Sequence, residues 1–315
     1  MRQYALRRAL SSLTMVVVVS TITFLLIRIV PGDPALLIVG EEQATPEKLA
    51  SVRQALGLDR PLLEQYGAFL VGATRGDLGR SLVSGRPVGR DLAVRIPRTF
   101  QLIVVAVAIA FAVGIPLGIL AARRQNTIVD LLASVVALLG VSAPAFVVGT
   151  LLVLVFSLSL PLLPSSGWVP PDQDLPGFLQ RLIMPSVTLS LGMLAVIMRM
   201  SRSALLEVIR QDFIRTARAK GLTERTVIRK HALKNSLIPV VTAVGVQMGN
   251  LLGGSVIVEQ VFTWPGVSTY LITGIGQRDY PIVQAVVLLI SVVFVAINLL
   301  VDLLYGYLDP RIKYQ

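Results

Sequence analysis

The sequence predicts an all-α integral membrane protein with six transmembrane helices. Three observations predict it. Of 315 residues, 54% are hydrophobic and only 15% are charged, against about 25% charge in an ordinary soluble domain. Mean hydropathy is +0.74. The apolar residues gather into six runs, near residues 10–30, 101–122, 131–160, 182–200, 237–258 and 282–304. Each approaches or exceeds the roughly 20 residues that cross a hydrocarbon core. Helices satisfy every backbone donor and acceptor there without help from a neighbour.

The first run is read as a retained anchor. It is too long for the apolar region of a signal peptide, and no small-residue cleavage site follows it. The third run is long and holds Pro144. It reads either as one kinked helix or as two short ones. Charge favours one span. With that count the 199–234 loop carries ten Lys or Arg against Glu207, Asp212 and Glu224. It then shares a side with Arg2, Arg7, Arg8, the Arg123–Arg124 turn and the Arg311 and Lys313 tail. Loops rich in Lys and Arg stay cytoplasmic, so both termini are expected inside. The net charge of +11 is then a topology signal, and a nucleic-acid partner is not expected.

Residues 31–98 form the extracytoplasmic segment. Nine Lys or Arg balance eight Asp or Glu there. Pro31-Gly-Asp-Pro34 reads as a rigid turn. Thr45-Pro46 starts a helix, with Thr as cap and Pro at the first helical position. Gly57 stops it, and a second helix starts at Asp59. Residues 76–81 read as a turn. The segment is either a helical cap on the spans or a docking or gating surface for an extracytoplasmic partner.

The most organised loop lies at about 201–236. Residues 207–220 have helix-forming composition, and Gly221 sits where a helix ends. Thr223 then caps a second helix with Glu224 in its first turn, and Leu222 and Val227 are placed for a hydrophobic staple. Helix, Gly turn, helix is more structure than charge retention needs. A basic helix–turn–helix for DNA is disfavoured by the loop's position between spans. A short helix held at the membrane surface for a soluble motor remains. Basic residues would steer docking, and Ala217, Ala219 and Gly221 would allow close approach.

Arg215-Thr-Ala-Arg-Ala-Lys-Gly221 resembles the coupling-loop signature of ABC importer permeases, Glu-Ala-Ala-x3-Gly-x9-Ile-x-Leu-Pro. Ala217, Gly221 and Leu233 match. Arg215, Thr216, His231 and Lys234 depart from it, and the missing Glu removes one salt bridge to the ATPase. The form RTARAKG…HALKNSLIP is similar to the B-type permeases of the dipeptide, oligopeptide, glutathione and nickel group. So are Tyr4–Arg8, Val30-Pro-Gly-Asp-Pro34, Leu56-Gly-Leu-Asp-Arg-Pro61, Gly76-Asp-Leu-Gly-Arg-Ser81, the 256–266 run and Arg278-Asp-Tyr-Pro281.

The resemblance covers the whole chain. It implies the type I ABC importer permease fold in a bacterial cytoplasmic membrane: a cytoplasmic terminus and first span (1–30), the outer helical segment (31–98) and a five-helix transmembrane domain (99–315). It implies a homologous second permease, two cytoplasmic ABC ATPases and an extracytoplasmic binding protein as partners, besides the lipid bilayer. The cargo would be di- or oligopeptides, with glutathione or a nickel chelate as alternatives. Asp212, Arg215, Thr216, Ala217, Arg218, Ala219, Lys220, Gly221, Leu222 and Leu233 would dock the ATPases.

In the fifth run Gly245, Gly249, Gly253 and Gly254 suit close helix packing. Gln247 and Asn250 there, and Asn298 in the sixth run, are candidates for the translocation path. Scarce ionisable groups within the runs argue against a proton relay. No Gly-x4-Gly-Lys-[Ser/Thr] loop is present, so ATP and Mg²⁺ are expected on the partner ATPases and no cofactor on this chain. One histidine, His231, and no cysteine leave no metal site and no catalytic set. The rival of another class is a self-contained channel or carrier.

Overall fold

The computed structural model describes residues 2–29, 34–40, 44–55 and 57–308. The expected Pro31–Pro34 turn lies mostly outside them. The described chain is helical: α1 (Arg2–Ile29), α2 (Pro34–Val39), α3 (Pro46–Ala55), α4 (Leu62–Thr74), α5 (Val88–Arg123), α6 (Ile128–Ser142), α7 (Ala145–Val153), α8 (Leu175–Ile209), α9 (Asp212–Ala219), α10 (Glu224–Thr226), α11 (Leu233–Val261), α12 (Val267–Gly276) and α13 (Tyr280–Leu308). Two π-turns, Leu154–Ser159 and Val227–Ala232, follow α7 and α10. Among the described residues the β structure is one isolated bridge, Arg80 with Pro87.

Three described helices are long and apolar enough to cross a membrane: Val88–Arg123, Leu175–Ile209 and Tyr280–Leu299. A fourth crossing is available if α6 and the helix that starts at Ala145 count together. That pair is bent by 105°, which is sharper than a kink in one rod. Its cause is local. Pro144 has no N–H, and Ala143 before it is pushed into extended backbone (φ −74°, ψ 123°). The helix therefore ends at Ser142 and restarts beyond the proline.

The chain divides into two compact units. One holds residues 2–99 and 265–296, the other residues 100–264 and the chain from 297. In the first, Thr45 caps α3 as expected, accepting from the Lys48 N–H at 3.3 Å. Gly57 closes it with φ +65° while the Leu58 N–H bonds the Arg53 carbonyl at 2.9 Å. The second helix starts at Leu62 after Pro61, and not at Asp59. Pro61 fixes φ at −52°, which is already helical. α4 lies on α1, where the Tyr66 hydroxyl shares a 2.6 Å hydrogen bond with Thr21 and its ring meets Phe24 edge-on at 5.1 Å.

The core of this unit joins Val88 and Leu92 of α5, Val267 and Tyr270 of α12, and Ile282, Ala285 and Val286 of α13. Polar bonds fix its register. The Val267 N–H donates to Thr99 Oγ1 at 2.9 Å. Arg95 stacks on the Tyr270 ring at 4.6 Å. The Tyr270 hydroxyl donates to Asp91 at 3.3 Å. Burial first, and the Asp91 carboxylate second, push its pKa up to about 12.

Two stretches that the sequence offered separately meet here. Ser81 Oγ donates to Asp279 Oδ2 at 2.5 Å, and the Val83 N–H reaches the same oxygen at 3.3 Å. Ser81 is 4% exposed and Asp279 0%. Truncating Ser81 strips the carboxylate of its hydroxyl donor inside the protein. Ser81→Ala is therefore expected to lower stability by about 1–3 kcal/mol and to raise amide exchange over residues 79–88. Unchanged melting and exchange would show that the contact carries no energy.

In the other unit α8 is central and packs against α6 and α11. A Cβ on Gly118 of α5 would stand 2.5 Å from the Met198 carbonyl of α8 and 2.7 Å from Ser201 Cβ. Only glycine permits that approach. In α11, Gly254 sits against Leu189 of α8, whereas Gly253 faces open space.

Candidate functional site

The basic loop between α8 and α11 is built on the ends of long helices. α8 runs without a break to Ile209, so Glu207 belongs to it and not to the start of the loop helix. A turn at Arg210–Gln211 releases the chain, and α9 begins at Asp212 with Gln211 at the cap position. Ile214 and Ala217, three apart, lie on one face and are 0% and 7% exposed. They join a cluster with Ala122 of α5, Leu205 and Val208 of α8, Val227 and Ala232, and Leu233 packs against it.

The outer face of α9 shows Asp212, Phe213, Arg215, Thr216, Arg218, Ala219 and Lys220. Ala217 and Leu233 were expected in the docking face. They are turned inward instead and anchor the element, because a helix this short needs apolar burial to hold its place. Phe213 was missed. It is 40% exposed, as is Leu222, and the two give an otherwise cationic surface some apolar area. Its signal was a phenylalanine one position out of step with the buried Ile214–Ala217 pair.

Gly221 ends α9 with φ +78°. The Leu222 N–H reaches back to the Ala217 carbonyl at 3.4 Å and the Gly221 N–H to that of Arg218 at 2.9 Å, a closure that requires left-handed backbone. Thr223 occupies the cap position with extended backbone, but its hydroxyl bonds Thr226 Oγ1 at 2.9 Å and makes no side-chain cap. The expected staple is also absent, since Val227 is fully buried while Leu222 stays exposed. The second helix starts at Glu224. It continues through the π-turn into α11.

A bidentate pair closes the Gly221 turn. Arg218 Nη2 donates to Glu224 Oε1 at 2.8 Å and Nε to Oε2 at 3.1 Å. The Arg218 hydrogen bond is the main cause that holds the Glu224 carboxyl below its ordinary value. Arg123 adds to it and burial opposes it. A depressed carboxyl pKa stabilises the folded loop above the ordinary Glu value of about 4.3, and that stability is lost as pH falls through the lower folded value. Both groups are well exposed, so the effect is at most about 0.5 kcal/mol. Protection of the 218–226 amides is expected to be flat from neutral pH to about 5 and to fall below about 4. Glu224→Gln should flatten that acid limb; an unchanged limb would assign it elsewhere.

A second ion pair was not foreseen. Asp130 in the first turn of α6 accepts from Arg202 Nε at 2.6 Å and Nη2 at 2.7 Å, and from the Asn126 N–H at 3.0 Å. Asp130 is 5% exposed. The pair pins the start of α6 to α8 just before the loop. Its signal was a lone aspartate opening an apolar run.

The path candidates lie apart in the chain. Gln247 is half-buried on α11 and Asn298 half-buried on α13, while the side chain of Asn250 lies outside the described residues.

Two family models match the chain. Residues 114–314 match the binding-protein-dependent transport system inner membrane component. Residues 1–103 match the N-terminal part of the corresponding membrane component. Relatives align over their full length and that of this chain. The glutathione transport system permease protein GsiC of Escherichia coli strain K12 is 42% identical, and that of Pectobacterium atrosepticum is 43% identical. The dipeptide transport system permease protein DppB of Alkalihalophilus pseudofirmus is 40% identical. Apolar helices of membrane-crossing length, a loop helix anchored between them and two matches that together cover nearly all of the sequence agree: the chain belongs to the ABC importer permeases, as a binding-protein-dependent transport system inner membrane component.

Proposed function

We propose that this chain is the non-catalytic permease subunit that carries short peptides inward through an ATP-driven importer. The observation that carries the reading is α9. It is too short to stand alone, it is anchored by Ile214 and Ala217 on the ends of α5 and α8, and its cationic face with Phe213 is free for a soluble partner. A displacement imposed on that face passes directly to two long helices.

Six crossings are assigned to α1, α5, the α6–α7 pair taken together, α8, α11 and α13. α1 and α11 have 28 and 29 residues, more than a crossing needs. The Lys and Arg distribution then sets both termini and α9 in the cytoplasm. Two ATPases bind ATP and Mg²⁺ and dock through Asp212, Arg215, Thr216, Arg218, Ala219, Lys220, Gly221 and Leu222. A homologous second permease completes the path, and an extracytoplasmic protein delivers cargo. Gln247, Asn250 and Asn298 are the candidates for contact with the cargo.

The relatives' names favour a peptide-like cargo, dipeptides or glutathione, over a nickel chelate. The test is uptake into proteoliposomes that hold the assembled transporter and its binding protein. Labelled dipeptide or glutathione should enter only with ATP. Comparable flux through this chain alone would establish the rival reading, a self-contained channel or carrier.

A further inference from the structure

The helix that leads from the basic loop into α11 has two interruptions in its hydrogen-bond ladder. In the π-turn Val227–Ala232, the Leu233 N–H bonds the Ile228 carbonyl, five residues back. Where α spacing resumes, one carbonyl is skipped. Pro239 lies inside α11. It has no N–H, so the Asn235 carbonyl loses its ladder donor. Side-chain donors gather between the two sites: Asn235 Nδ2 donates to the His231 carbonyl at 2.9 Å and Ser236 Oγ to that of Leu233 at 3.1 Å.

The π-turn is packed, with Val227 and Ala232 in the same cluster as Ile214 and Ala217 of α9. A displacement of α9 therefore bears on this turn and on the first residue of α11, Leu233, which packs against the same cluster. The same five-residue spacing placed at Pro239 would let the Val240 N–H reach the Asn235 carbonyl that α spacing leaves without a ladder donor. One extra residue thus has two places to sit. Moving it re-faces the residues between by about 100°, one residue of helical twist, and leaves the register of the flanking helices unchanged.

We propose that Val227–Ala232 and Pro239 form a two-state joint, in which the extra residue of the π-turn shifts toward Pro239 when α9 is displaced. The proposal rests on the reading of α9 as the element moved by the ATPases. Two packings of similar energy are what a switch requires.

Hydrogen exchange of the assembled transporter in nanodiscs, nucleotide-free and ATP-trapped, tests it. Amides at 230–240 should change protection several-fold between the states, while those at 241–261 stay constant. A change at 212–220 without one at 230–240 would overturn the joint and leave the docking reading intact. No change in either segment would overturn both. Pro239→Ala restores the missing N–H and should lock the turn at 227–232. Insertion and the nucleotide-free exchange pattern should persist while cargo moved per ATP falls several-fold; full coupling in that variant would overturn the joint.

Discussion

Gly118→Leu is expected to abolish the folded protein in the membrane. The substituted carbon would stand 2.5 Å from a backbone carbonyl of α8. A carbonyl held in a helix ladder cannot rotate aside as a flexible side chain can. The alternatives are to part α5 from α8 or to bend one of them. Overpacking a close contact costs roughly 1–3 kcal/mol where side chains give way. Here backbone must move, and the cost should lie at or above the top of that range. Gly118→Ala meets the same carbonyl with one carbon and should keep a measurable, destabilised fold. Melting of detergent-solubilised protein checks both. A Leu variant that melts like the parent would show that α5 and α8 do not touch at this point.

Ile214→Asp is expected to produce the largest functional loss from a single change in the basic loop. The side chain is 0% exposed among Ala122, Leu205, Val208 and Val227. A carboxylate there is buried without a partner, at a cost of several kcal/mol, which an eight-residue helix with one other buried residue cannot offset. α9 should leave its seat while the long helices stay folded. ATP-dependent uptake should fall by at least tenfold, with the protein still inserted and melting near the parent temperature. Gly221→Val should do less. Its Cβ would meet nothing within 4 Å, so its main cost is left-handed backbone, about 1–2 kcal/mol. If the two variants ranked in the reverse order, anchoring by Ile214 would not be what positions α9.

The local punctuation of the chain was legible before the fold. Thr45-Pro46, Gly57 and Gly221 act where their backbone chemistry says they should, because caps and left-handed turns are decided by one or two residues. Pro144 announced a break, and the extended backbone at Ala143 before it carries the bend, but the 105° angle left no mark in the sequence. The boundary between α8 and α9 was misplaced because Arg210–Gln211 holds neither Gly nor Pro. The π-turn was invisible, since one additional residue per turn leaves no mark in composition.

The site was half legible. Its position and charge were read from the sequence, but the sense of its faces was not. The motif places Ala217 on the outer face, whereas its three-residue spacing from Ile214 ties both to the buried face. Ser81 and Asp279 lie in separate stretches of the chain, 198 residues apart, and only the fold brings them together.

The chain has no cysteine, so Phe213→Cys gives a unique attachment point on the exposed face of α9. With a photoreactive maleimide at that residue, illumination of the assembled, transport-active complex should yield an adduct between this chain and an ATPase subunit. An active complex in which residue 213 labels only lipid or water would contradict the account, because α9 would then be a surface helix and not the point where ATP hydrolysis meets the membrane.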